Sequence, residues 1–442
     1  MQEPGVGVQP ALTTNTDTRK TALEYLHKRA TEVVDGASIP VGGQIPGHKN
    51  VTGYILHMPG GNAGYPSFWV RDAAMMLGAD LIEPSEILGW IRLIASVQAD
   101  RHGVNLKHGL YVPPYSIPDH ITLAGKPCWY PGAYDGEDQG NGSFGFLPPA
   151  DDAFFYIQMV REYVRTTSPD VLKNVSLQTA WGQVDMLSSA TKAYDSVAVE
   201  EKTGLVVCDA NPGKGRVDWG FCDTVHKAGL CLMPSLLRWQ AARDLSHLCR
   251  AGKRGKEAGR FEKDAARIAA SILPTFLIGV TSDEALLISA TEVGRKDDLW
   301  ASAYAVWLGI LPPKAERQVA THLLSVCLHS GAMKEGQVMA VPPTGEFGGY
   351  WEKCLARQGT YQNGAYWGTP SGWFIVALDR VDRVHGDAML AEFTGHLERN
   401  RSKGAPWECF NPALNHYQNP LYCATVALPY VALISEENHR HR

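Results

Sequence analysis

The sequence predicts an all-α fold in which six helical hairpins close on themselves into an inner and an outer ring. Three observations carry this. About twelve segments of the 442-residue chain show apolar residues at helical spacing. These segments come as consecutive pairs, and the connections alternate between short ones and long ones dense in Gly, Trp and acids. No exact repeat, low-complexity tract or linker divides the chain. Residues 18–442 therefore read as one domain behind an unstructured lead-in, residues 1–17, that is rich in Pro, Gly and Thr.

In chain order, helices are expected over residues 18–34, 68–80, 84–99, 151–164, 170–197, 224–248, 254–278, 298–309, 314–328, 367–381, 387–399 and 421–436. The first rests on Ala22, Leu23, Tyr25, Leu26, Ala30 and Val33 along one face. Short strands are expected at 54–58 and 203–208, where apolar residues run between glycine punctuation. Residues 102–149 form a long connection without helix, and such loops in compact domains tend to be functional. This one holds the most acidic cluster, Asp135, Glu137 and Asp138, followed by Asp151 and Asp152. The cluster lacks the full spacing of a calcium loop, so it is assigned to binding hydroxyls and no metal or cofactor is expected.

Composition narrows the function. Hydrophobic content of 45%, 20% charged residues and a net charge of −5 suit a globular protein and leave no basic footprint for nucleic acid. No run approaches the ~18 apolar residues of a spanning helix, and the N-terminus lacks the pattern of a secretory leader. The nine cysteines are scattered, without C-x-x-C or zinc-type spacing, which points to a reducing, cytoplasmic setting. The 12 Trp and 17 Tyr favour carbohydrate, because such rings pair a flat apolar face with a polar handle.

Residues 216–229 (RVDWGFCDTVHKAG) set two carboxylates, Asp218 and Asp223, around a Trp219-Gly-Phe turn ahead of an apolar-periodic segment. An indole can stack on a pyranose while a partly buried carboxyl moves a proton at a glycosidic oxygen. The same residues admit a structural reading, in which Asp223 and Thr224 cap the following helix.

Five motifs widen the picture: FWVRD at 68–72, TGLVV at 203–207 leading to VDWGFCDT at 217–224, DLWASAY at 298–304, YQNGAYWGTP at 361–370 and WECFNP at 407–412. With these, residues 18–436 resemble the six-hairpin glycosidases, whose (α/α)6 barrel serves glucoamylase, trehalase, processing α-glucosidase and the debranching glucosidase. The resemblance implies an inverting glycoside hydrolase acting on a small carbohydrate, most simply an α-linked glucoside. It gives Glu408 the role of base, with Trp407 beside it, and Asp223 that of proton donor, with Asp218 the alternative. Arg71 and Asp72, after Trp69, would grip sugar hydroxyls; Trp219, Gln362, Asn363, Tyr366 and Trp367 would line the sugar site. The departure from the trehalase-like E-S-G-W-D pattern leaves the donor open between the two aspartates. A structural salt bridge for Arg71 and an exposed loop position for Glu408 are the plain alternatives. Competing functions on the same scaffold are a disaccharide phosphorylase, an unsaturated uronyl hydrolase, a sugar epimerase or a non-catalytic sugar binder. An inverting pair of carboxyls should stand roughly 6.5–9.5 Å apart.

Overall fold

The computed structural model describes residues 16–61, 64–131, 142–209 and 222–440. Among them are thirteen helices: α1 (Thr16–Gly36), α2 (Val70–Met75), α3 (Pro84–Val97), α4 (Asp152–Thr166), α5 (Val171–Asn174), α6 (Met186–Asp195), α7 (Leu232–Ala251), α8 (Gly255–Phe276), α9 (Leu299–Leu308), α10 (Pro313–His329), α11 (Ser371–Asp379), α12 (Arg383–Arg399) and α13 (Ala424–Arg440). Their packing traces the two rings. Helices α2, α4, α7, α9, α11 and α13 each contact the next, and α13 returns to α2, which closes the inner ring. Outside it, α1 lies on α12 and α13, α3 on α4, α6 on α4 and α7, α8 on α7, α10 on α9 and α11, and α12 on α11. This is the (α/α)6 barrel the hairpin count anticipates.

Sequence sorts the helices between rings. α9 is apolar nearly all round and is buried from Leu299 to Val306, as a helix enclosed on every side must be. α8 buries only Ala258, Phe261, Ala265, Ile268, Ile272 and Phe276, spaced three, four or seven apart, and turns its charges to solvent. One hydrophobic core runs from Leu23 to Leu433, and no described helix is long and apolar enough to cross a membrane.

Four expected helices differ in ways that matter for the site, and the one over 367–381 begins only at Ser371, because Tyr366–Trp367 pairs as a strand. Residues 67–69 form a strand paired with His120–Thr122, and α2 begins only at Val70; aromatic residues found ladder partners there. The segment 170–197 is broken by a hairpin of Ser176–Thr179 and Gly182–Asp185, turned at Gly182 (φ 126°). Asp185 then caps α6 by accepting from the Ser188 amide at 2.9 Å. Finally, α7 starts at Leu232, because Gly229–Leu230 pairs with Val207–Cys208. Asp223 is therefore not a helix cap. The lead-in, residues 1–15, lies outside the described residues.

Five short antiparallel strands lie at the end of the barrel where α9, α11 and α13 start: Met333–Lys334, Gln337–Val338, Tyr366–Trp367, Trp407–Asn411 and His416–Pro420, in that order. The indole of Trp300 in α9 donates to the Val338 carbonyl at 3.2 Å and ties the sheet to the ring.

Candidate active site

A cavity opens at this end, lined by residues that include Tyr65, Arg71, Asp72, Asp223, Tyr361 and Glu408. Glu408 sits on the strand Trp407–Asn411, second from the edge of the sheet, and is only 1% exposed. The exposed-loop alternative is thereby replaced by a rigid, buried position. Across the ladder, between the Trp407–Pro420 and Cys409–Gln418 pairs, Asn419 donates its amide to Glu408 Oε2 at 2.5 Å. Tyr65 donates to the same oxygen at 3.0 Å, and Tyr361 donates to Oε1 at 2.9 Å.

Asp223 lies in a turn just ahead of the Val225–Cys354 bridge, pinned by two backbone bonds, Leu355 amide to Thr224 carbonyl and His226 amide to Lys353 carbonyl, both 2.9 Å. Gln362 donates to Asp223 Oδ1 at 2.7 Å. The Thr224 hydroxyl donates to the amide oxygen of Gln362, which fixes that amide with its NH2 toward Asp223. Asp223 Oδ2 meets the same phenol that holds Glu408, at 3.5 Å.

Tyr361 and Asn419 both adopt left-handed backbone, φ 47° and 44°, and both bond Glu408. Strain of this kind in non-glycine residues clusters at sites where side-chain direction is over-determined.

Burial pushes Glu408 up to about 8 against the bonds from Asn419 and Tyr361. It pushes Asp223 up to about 6, opposed by the Arg71 charge and the Gln362 bond. Asp72 also rises to about 6 through burial, although Tyr422 donates a hydrogen bond to it and Arg71 lies near. A carboxyl whose folded pKa is raised stabilises the fold below its unfolded pKa and loses that contribution as pH rises through the folded value. Glu408→Gln is therefore expected to raise the melting temperature at pH 9 relative to the native protein, with the gap closing near pH 4. Equal melting temperatures at pH 9 would contradict the burial argument.

Of the residues singled out in the sequence, Trp69, Arg71, Asp72, Asp223, Gln362, Trp367 and Glu408 converge on the cavity. Trp69 stacks on His120, centroids 4.1 Å apart, and Trp367 donates to the Tyr361 carbonyl at 3.2 Å. Arg71 spends two nitrogens on Asp151, at 2.8 and 3.2 Å, so a buried ion pair coexists with its place in the lining. Three others face elsewhere. Asn363 braces its own loop, accepting from the Trp351 amide and donating to the Ala356 carbonyl. Tyr366 donates to the Gly331 carbonyl, and Trp407 packs on Tyr417 and His396. Asp135, Glu137, Asp138, Asp218 and Trp219 lie outside the described residues. Sequence reasoning passed over Tyr65, Tyr361, Tyr422 and Asn419. Only Tyr361 stood inside a quoted motif; Tyr65 lies in a loop, Asn419 on the strand His416–Pro420 and Tyr422 just ahead of α13.

No family model matches the chain, and no curated protein matches it. Solved structures do. The chain is similar to a mannosylglycerate hydrolase from Thermus thermophilus in complex with glucose, at TM-score 0.54 and 13% identity over 92% of this chain and 99% of that one. It is similar to a bacterial glucoamylase complexed with acarbose, at TM-score 0.54 and 11% identity, covering 97% of this chain but 57% of that one. A rhamnosidase from Klebsiella oxytoca with rhamnose bound gives TM-score 0.53 and 12% identity over 98% of this chain and 66% of that one. At such identities what is shared is the fold.

Proposed function

We propose that the chain is a glycoside hydrolase that works by general acid and base catalysis on a small carbohydrate. The observation that carries this reading is the pair Asp223 and Glu408, two desolvated carboxyls meeting on one tyrosine hydroxyl in a cavity walled by Trp69 and Trp367. Aromatic faces suit pyranose rings, and carboxyls raised by burial suit proton transfer near neutral pH. Asp223 protonates the leaving oxygen. Glu408, held by three donors that favour its anion, deprotonates water on the opposite face. Sugar ligands in the structures of similar fold support the substrate class, and the α-linked glucoside stays the first candidate. Nine scattered cysteines favour a cytoplasmic setting.

We take the reaction as inverting. Asp223 Oδ2 and Glu408 Oε1 stand 3.5 and 2.9 Å from the Tyr361 hydroxyl, so those two oxygens lie closer together than the ~6.5 Å where inverting spacing begins. The short reach favours one competing reading, retention with a carboxylate nucleophile. A screen of nitrophenyl glycosides and disaccharides, with NMR of the first anomer released, decides between them. Release of the substrate's own anomer would sink inversion, and turnover that requires phosphate would indicate a phosphorylase instead.

The pair titrates as a unit. With values of about 6 for Asp223 and about 8 for Glu408, it holds a single proton mainly between those pH values. A bell-shaped kcat/KM with limbs near pH 6 and 8 is expected. A profile flat from pH 5 to 9 would remove both groups from the chemistry.

A further inference from the structure

An inverting turnover leaves its two carboxyls in the wrong states: the base has gained a proton and the acid has lost one. Before the next turnover a proton must travel from one to the other. We propose that the Tyr361 hydroxyl is the relay that carries it, passing the proton from Glu408 directly back to Asp223. This rests on the reading of the pair given above and would be superfluous in a retaining enzyme.

The geometry suits the task. A phenol has one proton to donate and lone pairs to accept with, so it can bridge one protonated and one ionised carboxyl. Tyr361 stands 2.9 Å from Glu408 Oε1 and 3.5 Å from Asp223 Oδ2. In the transfer the Glu408 O–H bond breaks and its proton joins the Tyr361 oxygen. The Tyr361 O–H bond breaks and that proton joins Asp223 Oδ2. The phenol is unchanged, Glu408 regains its charge, Asp223 is neutral again, and no co-reactant is consumed.

Surroundings favour this route over solvent. Glu408 is 1% exposed, and its other oxygen is occupied by Tyr65 and Asn419. Tyr65 touches Glu408 and Tyr361, but no bond joins it to Asp223 among the described residues. The backbone of Tyr361 is anchored independently, by the Trp367 indole on its carbonyl and by the Ala365 amide at 3.1 Å on the same oxygen. The hydroxyl can therefore be removed without releasing the turn. Burial and the neighbouring Asp223 and Glu408 charges hold the phenol well above its ordinary range, so it stays a neutral hydroxyl between transfers. Arg71 and Asp72, the remaining charged groups of the cavity lining, make no hydrogen bond to Tyr361 among the described residues.

Tyr361→Phe tests this on the full chain, with melting temperature read alongside and Tyr65→Phe as the control. In dilute buffer, single-turnover cleavage by the Tyr361→Phe variant should outrun its own steady-state turnover at least tenfold, seen as a burst of one product per site. Added imidazole should restore kcat in proportion to its concentration and leave the native enzyme unchanged. Tyr65→Phe should show no burst. If single-turnover and steady-state rates fall together, Tyr361 only positions its neighbours, and if neither falls it is dispensable; either result overturns the relay. A native enzyme that releases the retained anomer, or cleaves no glycoside, removes the reading beneath it as well. Native cleavage dependent on Asp223 and Glu408 with no burst in the variant removes the relay alone.

Discussion

Glu408→Gln should slow hydrolysis of an unactivated glycoside by about 10²–10⁴-fold, the usual share of general acid or base catalysis. The amide keeps the shape and still meets Tyr65 and Tyr361, but it cannot take a proton from water. Asp223→Asn should cost as much on substrates with poor leaving groups. It should cost far less on glycosyl fluorides or dinitrophenyl glycosides, which depart without protonation. The comparison of the two variants on the two substrate types assigns the roles. If Glu408→Gln is the one that tolerates the activated substrate, acid and base are exchanged; if Asp223→Asn is nearly silent on both, the donor is Asp218.

A second large effect concerns stability. Arg71 is buried, with its guanidinium on Asp151 and 3.7 Å from Asp119. Beside them Asp152, 1% exposed, has no hydrogen-bond partner for either carboxyl oxygen among the described residues, and burial raises its pKa well above the ordinary range, aided by the Asp119 and Asp151 charges. Removing one member of a buried ion pair costs about 3–5 kcal/mol, because the partner charge stays buried without compensation. Arg71→Met should therefore destabilise the protein by about that much at pH 8 in urea unfolding. The deficit should shrink as pH falls and the stranded carboxyls protonate. Adding Asp151→Asn to Arg71→Met should recover part of the loss. A deficit below about 1 kcal/mol at pH 8 would mean that water reaches the cluster and solvates it.

Much of the architecture was legible because helical periodicity is a local signal. α8 and α10 begin and end within a residue or two of where their apolar spacing and flanking turns place them. What periodicity could not see was the irregular end of the barrel. Residues 67–69 and 366–367 carry aromatic and apolar residues compatible with helix or strand, and only partners fifty or forty residues away in sequence decide for strand. The site divides in the same way. Asp223 and Glu408 stand in motifs whose residue types announce acid chemistry, whereas Tyr65 and Tyr422 line the cavity and Asn419 bonds Glu408 from outside any such motif. Their roles depend on backbone turns, such as the left-handed Asn419, that no single-residue preference encodes.

The closure of the inner ring by α13 on α2 has a consequence for how the molecule comes into being. α1 rests on α12 and α13, so the earliest helix waits for the last two before it has a surface to lie on. Contacts between segments so distant in sequence carry the loop-closure cost that slows folding. Glu408, on the strand just ahead of α13, joins Asp223 at the same late stage. During synthesis the nascent chain would thus hold half of the proposed acid–base pair and an open ring, and the proposed site would be complete only with the seam of α13 on α2.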